Sequence, residues 1–334
     1  MKTHRPLVTR LAAGALLGAG LGGALLGCAA QAPNSDASPA SGGFPVTIEN
    51  CGTEVTIPAK PKRIVMINND ELANLEALQA VDRVVAVTAA PARGLYEKST
   101  IDAIDAITPL STETGPTGGS IVSQESIIGA EPDLVIAPEN AVDRASLASL
   151  GIPVFSPTAY CDDPPAEYTQ RASFDRVWSE LKALGTALGA SDLADQAIAG
   201  SQAQLKAPAS EAGTAAALYV SSGGVVSPYG GPSMVTPVFE AAGLTNVYAA
   251  STERVFDASL EDIIAKDPKT IVLLYSGDDD KAAVTAFQSV PGVQGLTAVK
   301  EHRVLTLPFP YTDPPTVLSA KGPSVLVEQL KTLD

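Results

Sequence analysis

The sequence predicts an α/β protein of two lobes, each built on a central, mainly parallel sheet flanked by helices, with a linker helix between them. Three observations predict it. At 334 residues the chain outgrows the ~250–300 at which a single hydrophobic core usually stops enlarging. Apolar runs of strand length alternate with stretches of helical periodicity, the pattern of β-α-β units. One unit is also written twice: SQESIIGAEPDLVIA at 123–137 and SLEDIIAKDPKTIVL at 259–273 share Ser, Glu two places on, Ile-Ile, a following Pro and an apolar β-rich run.

Residues 1–27 read as an address rather than as structure. MKTHRPLVTR is basic and LAAGALLGAGLGGALL is apolar, but this run falls short of the ~20 residues a spanning helix needs. Leu25, Leu26 and Gly27 before Cys28 resemble the lipobox of bacterial lipoproteins, which implies a lipid on the Cys28 thiol and cleavage just ahead of it. The other reading is a short uncleaved anchor helix, and both put the body outside the cytoplasm. Loss of Lys2, Arg5 and Arg10 with the leader moves the formal charge from −15 to −18. Residues 28–43 are small, polar and rich in Pro and Gly, as expected of a flexible tether. The balance of 22 Lys+Arg against 37 Asp+Glu excludes a nucleic-acid surface, which needs cations to neutralise phosphates.

The first lobe is expected over 44–190. VTIENCGTEVTI alternates around an Asn-Cys-Gly turn and predicts an edge hairpin. RIVMI (63–67) has the length of a buried strand, the next segment puts Leu72, Leu75, Ala77 and Leu78 on one helical face, and VVAV (84–87) completes a β-α-β unit. SQESIIGA as helix, DLVIA as strand, AVDRASLASL as helix and IPVF as strand continue it. FDRVWSELKALGTALG then carries Val177, Leu181, Leu184 and Leu188 at core spacing after a Ser173 cap. Cys51, in the hairpin turn, and Cys161, after IPVF, are the two cysteines beyond the lipidation site. In an oxidising compartment such a pair invites a disulfide, the other reading being two separate buried thiols.

The linker helix is expected at 191–208, with Ser191 as its cap and Pro208 at its end; the second lobe, 209–334, then restarts the programme. AAALYV, TNVYA, TIVLLY and RVLTL read as strands. MVTPVFEAAG, LEDIIAK, KAAVTAF and GPSVLVEQLKTL read as helices. LEALQAVDRVVAV (75–87) corresponds to VFEAAGLTNVYAA (238–250), so the repeat is one of folds and not a short solenoid array.

Ser123 and Ser259 are good N-caps, so Glu125 and Glu261 fall in a first helical turn, where exposed amides and the helix dipole favour a carboxylate by roughly 0.3–1 kcal/mol. That explains each glutamate alone. Taken together, the lipobox, CGTEVTIPAKPKRIV, LEALQAVDRVVAV, SQESIIGAEPDLVIA, LASLGIPVF, the linker helix and the second S-x-E-x-I-I unit resemble the substrate-binding lipoproteins of ATP-driven importers for ferric siderophores, haem and cobalamin. The resemblance covers about 44–334 and is carried by the order of its motifs. It implies that each lobe offers one glutamate, Glu125 and Glu261, to an arginine of the membrane permease. Two fixed carboxylates on separate lobes would set docking orientation more than raw affinity.

Open parallel sheets bind ligands beyond the carboxyl ends of their strands. The loops there are 68–71, 88–94, 111–120 and 138–140 in the first lobe, and 221–231, 251–256, 275–280 and 308–313 in the second. Arg93 and Arg254 stand out as cations suited to the paired oxygens of a ferric chelate, solvated charge being the alternative. Tyr229 and Tyr311 offer rings or phenols, with Tyr160 and Tyr275 as weaker candidates. Phe256 approximates the aromatic that the resemblance implies before the second S-x-E unit, although it is not tryptophan. Trp178, the one tryptophan, is expected to pack in a helix.

GPTGGS lacks the Gly-Lys-Ser/Thr ending of a phosphate loop, no G-x-S-x-G occurs, and His302 is the one histidine beyond the leader. Histidine-cluster metal sites and histidine triads are thereby disfavoured, and no intrinsic metal or cofactor is expected. The expectation is a monomeric, lipid-anchored, extracytoplasmic receptor, not an enzyme, that carries an Fe(III)-siderophore to an importer's permease and ATPase. The rivals are a haem or cobalamin receptor of the same architecture, an anchored hydrolase with a carboxylate pair across the cleft, and an adhesion or sensor module.

Overall fold

The computed structural model describes residues 43–110, 112–114, 119–205, 212–221 and 223–333. The leader, Cys28 and the tether up to 42 lie outside the described residues, as do 206–208 of the expected linker and 111 and 115–118 of one expected cleft loop.

The chain opens with the antiparallel hairpin β1 (Val46–Asn50) and β2 (Thr53–Ile57) around Cys51. There follow β3 (Ile64–Met66), α1 (Leu72–Ala77), β4 (Val84–Val87), α2 (Lys98–Asp105), the short hairpin β5 (Glu113–Thr114) and β6 (Ser120–Ile121), α3 (Gln124–Gly129), β7 (Leu134–Ile136), α4 (Arg144–Ser149) and β8 (Val154–Phe155). The first sheet has the order β4-β3-β7-β8 and is parallel throughout. Its strands are buried at every position but Val85, which is why they read as continuous apolar runs and not as alternations. Asp133 fixes the register of the central pair: its carboxylate accepts the amides of Lys62 and Arg63 at 2.8–3.0 Å, while the Arg63 guanidinium reaches back to the Ala130 and Glu131 carbonyls at the end of α3.

The hairpin is fastened to the far edge of that sheet. The buried Asn50 side chain donates to the Ser156 carbonyl and accepts the Ser156 amide, both at 2.8 Å, and Cys51 is joined to Cys161 in a disulfide beside it.

Two helices, α5 (Asp175–Ala187) and α6 (Ser191–Gln204), follow in succession and pack on each other. Val177, Leu181 and Leu184 of α5 and Ala194 and Ile198 of α6 enter the same apolar cluster as Leu72, Leu75 and Phe155. The segment expected as a linker helix is thus packed against the first lobe along its described length. Gly185 permits the close crossing, since a Cβ there would lie 2.6 Å from the Ala194 Cβ. Ser191 is the first residue inside α6 and not its cap: Gly189, at φ +61°, turns the chain so sharply that Ala190 already accepts the first helical bond, from Ala194.

The second sheet is made of β9 (Gly213–Val220), β10 (Val226–Pro228), β11 (Leu244–Asn246), β12 (Thr270–Tyr275) and β13 (Val304–Pro308). Strands β11, β9, β12 and β13 run parallel, and β10 folds back antiparallel on the end of β9. The helices α7 (Val235–Ala241), α8 (Leu260–Lys266), α9 (Lys281–Ser289), α10 (Thr297–Lys300) and α11 (Gly322–Leu330) supply apolar residues to clusters on its two faces. The TNVYA strand begins one residue earlier than its pattern indicates and stops at Asn246, whose buried amide donates to the Tyr229 carbonyl and Thr236 hydroxyl and leaves the ladder.

Candidate functional site

Loops from the carboxyl ends of both sheets converge on one cluster. Asp70 follows β3 and Tyr160 follows β8; Arg254 follows β11 and Asp313 follows β13. The Arg254 guanidinium lies 5.1 Å over the Tyr160 ring and donates to Asp313 Oδ2 at 3.2 Å, so the second lobe's arginine reaches the first lobe's aromatic. The backbone holds Arg254 in place: Gly230 and Gly231 donate to the Arg254 and Ser251 carbonyls, and a Cβ on Gly230 would run into the Glu253 carbonyl.

Asp313 is 1% exposed and fully engaged, accepting from the Ser233 hydroxyl at 2.7 Å and the Met234 amide at 3.2 Å as well as from Arg254. Asp70 is different. Burial raises its carboxyl to about 6, against the opposing pull of the Asn68 amide, the Arg254 charge and the Tyr160 phenol. Tyr96 lies in the field of Asp70 and Tyr229 in that of Asp313, with Tyr311 beside Tyr96 and Tyr275 next to Tyr311. Burial pushes all four phenols up, as it does Tyr160, so each stays a protonated donor at neutral pH.

The expected site residues are therefore placed as follows. Arg254 is central. Tyr229 is 5% exposed and packs against Phe309 at 6.1 Å, with its hydroxyl in the field of Arg254 and Asp313. Tyr311 is half-buried beside Tyr275 and Tyr96. Arg93 sits on the rim, its guanidinium 2.8 Å from Asp105 and its amide donating across the lobes to Asp278 at 2.5 Å. Phe256 is not brought into the cluster; its ring meets Tyr248 edge-on at 5.5 Å in the core cluster of Ile263. Trp178 packs on Phe174 at 6.5 Å.

Asp70 and Asp313 escaped the sequence reading, which looked for cations in an acidic protein, although both lie in loops it assigned to the cleft. Two further cross-lobe ties were also illegible. Arg176 of α5 donates to the Pro232 carbonyl at 2.6 Å, and the Val317 amide donates to Asn74 Oδ1 at 3.1 Å.

Glu125 and Glu261 occupy equivalent places. Ser123 and Ser259 cap α3 and α8 by accepting the amides of Ser126 and Asp262, both at 3.2 Å. Each helix returns the chain to the start of the next parallel strand, so each N-terminus lies at the carboxyl edge of its sheet. Both glutamates are exposed, and among the described residues neither forms a salt bridge. In each unit the first isoleucine, Ile127 or Ile263, is buried, and the second, Ile128 or Ile264, is exposed three residues beyond the glutamate on the same face.

Other clusters offer less. Cys51, Cys161 and Glu139 lie within metal-ligand distance of one another, but the sulfurs are bonded to each other and Glu139 is held by Arg144 at 2.7 Å and the Asp162 amide at 2.8 Å. Surface hollows of about 230 and 490 Å³, lined by residues such as Val122, Asn140 and Leu147 and by Lys281 and Thr285, share no residue with the interlobe cluster. Among the described residues no helix is long and apolar enough to cross a membrane.

A family model described as a periplasmic binding protein matches residues 64–311. An uncharacterized ABC transporter substrate-binding lipoprotein of Bacillus subtilis (strain 168) is 26% identical over 323 residues, covering 92% of this chain and 91% of that one. The crystal structure of an ABC-type Fe3+-hydroxamate transport system from Saccharomonospora viridis DSM 43017 superimposes with a TM-score of 0.78 at 34% identity, over 86% of this chain and 99% of that one. The apo periplasmic heme-binding protein RhuT from Roseiflexus sp. RS-1 shares the fold, with a TM-score of 0.61 at 19% identity over 81% of this chain and 98% of its own.

Proposed function

The chain belongs to the periplasmic binding protein family, and on that premise we propose that it is the lipid-anchored receptor of an ABC importer, capturing a ferric siderophore between its lobes and passing it to the permease. The observation that carries this reading is the convergence of Asp70, Tyr160, Arg254 and Asp313 from the carboxyl edges of two separate sheets. Such a meeting point of two open α/β sheets is where small ligands bind. Phenols and a guanidinium suit a chelate rich in carbonyl and hydroxamate oxygens, and the likeness to the Fe3+-hydroxamate transport protein supports that class.

Glu125 and Glu261 are the docking pins in this reading. Each is an exposed carboxylate that forms no salt bridge among the described residues, on a helix start at the carboxyl edge of its sheet, with an exposed isoleucine beside it. A pair of such tips, one per lobe, fits a partner that offers an arginine at each of two places. Cys28 anchors the receptor outside the cytoplasmic membrane. The relatives of the chain are transport proteins, and Asp313, the carboxylate that meets Arg254, is already engaged by Ser233, Met234 and Arg254, which favours a receptor over the hydrolase alternative.

Titration of the purified protein with ferric hydroxamates, ferric catecholates, haem and cobalamin, followed by Trp178 fluorescence and by calorimetry, tests the reading. Saturable binding of a ferric chelate at one site is expected. Binding of haem or cobalamin alone would move the assignment to those ligands, and binding of none would overturn it.

A further inference from the structure

The charges of the interlobe site do not balance one for one, and the imbalance points to what the site accepts. Its cations are already committed. Arg254 holds Asp313 at 3.2 Å, and Arg93 holds Asp105 at 2.8 Å. Arg176 spends its guanidinium on the carbonyls of Pro232, Glu167 and Gln170 at 2.6–3.1 Å. One carboxylate is left over. Asp70 has no lysine or arginine of the described residues within ion-pair distance, and the donors it meets are neutral: the Asn68 amide, at 3.4 Å, and the Tyr160 phenol. It lies in the field of Arg254 from the other lobe and of Tyr160 and Tyr96 from its own, which puts it on the interlobe side. A desolvated carboxylate without a dedicated cation leaves unmet demand for a donor or a positive charge.

We propose that Asp70 is the specificity-determining residue of this site, selecting electroneutral or cationic ferric chelates and excluding anionic ones. The inference rests on the receptor reading above and narrows it to a charge class. A tris-hydroxamate complex of Fe(III) is neutral, and a pendant amine makes it cationic. Such a ligand brings Asp70 a donor or a countercharge. A tris-catecholate complex is a trianion, and the arginines that would have to meet it are held by Asp313, by Asp105 and by backbone carbonyls. Anionic ferric complexes would need one of those pairs to break while Asp70 repels them.

The rival explanation is that Asp70 only shapes the loop after β3, where Asn68 already adopts φ +61°. The two differ in sign. A loop-shaping residue would weaken every ligand alike when replaced, whereas a charge selector moves cationic and anionic ligands in opposite directions.

The test uses three probes on the purified protein at pH 7.5: ferrioxamine B, a monocation; ferrichrome, neutral; and ferric enterobactin, a trianion. The wild type is expected to bind the first two and to discriminate strongly against the third. Asp70→Asn should weaken the monocation roughly tenfold, leave the neutral complex within about twofold and strengthen the trianion, as the loss of one half-buried charge requires. Asp70→Glu should restore the wild-type order, and unchanged melting and circular dichroism of the Asn variant would exclude a folding defect. Equal weakening of all three probes by Asp70→Asn, or tightest wild-type binding of the trianion, overturns charge selection while leaving the receptor assignment intact. Failure of all three probes on the wild type overturns the ferric-siderophore assignment and this inference with it.

Discussion

Glu71 and Glu180 face each other as a carboxyl pair inside the first lobe, at 0% and 1% exposure. Glu71 Oε2 accepts the Asn74 amide at 2.7 Å and Glu180 Oε1 accepts the Thr158 amide at 3.0 Å; the Thr158 side chain also faces Glu180, which leaves Oε1 of Glu71 to the Glu180 carboxyl. Two carboxylates have no donor to offer, so the pair must keep a proton. It ties α1 to α5, and through Asn74 to Val317 of the second lobe.

Burial first, and then the neighbouring carboxyl, raise Glu71 well above the ordinary range, and burial raises Glu180 to about 7. Since the folded state then holds protons the unfolded chain has released, stability falls as pH rises from about 4.5 through 7, by up to about 1.4 kcal/mol per pH unit for one proton. Thermal melts between pH 5 and 8 should show this decline. Glu71→Gln supplies Glu180 with a permanent amide donor and should flatten it; an unchanged slope in that variant would remove the pair as its source.

The disulfide between Cys51 and Cys161 bridges a sequence separation of 110. Closing so long a loop restricts the unfolded chain, typically for about 2–4 kcal/mol. The Asn50–Ser156 bonds keep the hairpin docked in the folded state, so the paired Cys51→Ser and Cys161→Ser variant should fold to the same circular dichroism spectrum with a lower denaturant midpoint. An equal midpoint would mean that the hairpin contributes nothing to global unfolding.

Much of the architecture was legible because buried parallel strands and amphipathic helices write their periods into the chain. RIVMI, DLVIA and TIVLLY announced central strands, and the repeated S-x-E-x-I-I unit announced two lobes. Helix starts were less legible: Ser191 has the composition of a cap, yet the tight turn at Gly189 carries the chain straight into α6. The interior charges were not legible at all. Glu180 sits in DRVWSELKAL where a surface acid would also fit, and only packing against Glu71 from a distant helix marks it as buried. Arg254 was visible as a lone cation, but its partner Asp313 lies 59 residues away, and no local pattern connects them.

Glu125 and Glu261 belong to separate lobes and lie away from the Arg254 cluster, so binding and delivery should separate on mutation. Replacing both with Lys is expected to leave chelate affinity within about twofold and to abolish chelate-dependent ⁵⁵Fe accumulation by cells relying on this receptor. Either single reversal should cause an intermediate loss, because one registered tip remains. Loss of affinity in the double variant would relocate these carboxylates to the ligand site, and undiminished uptake would end their role in docking.

Asp70 gives the site its own pH response. The groups facing it are the Asn68 amide, the Tyr160 phenol, the Arg254 guanidinium, the Tyr96 phenol and the carboxyl of Glu71. With its carboxyl raised to about 6, Asp70 is ionised at pH 8 and largely neutral at pH 5, while the phenols and Arg254 do not change charge in that interval. The ratio of affinities for ferrioxamine B over ferrichrome should therefore be highest at pH 8 and fall toward the Asp70→Asn value as pH drops through 6. Taking a ratio of two hydroxamates cancels pH effects common to both ligands, including those of the Glu71–Glu180 pair on the lobe as a whole. A ratio that stays constant from pH 5 to 8, or that varies equally in Asp70→Asn, would assign the charge preference to another group.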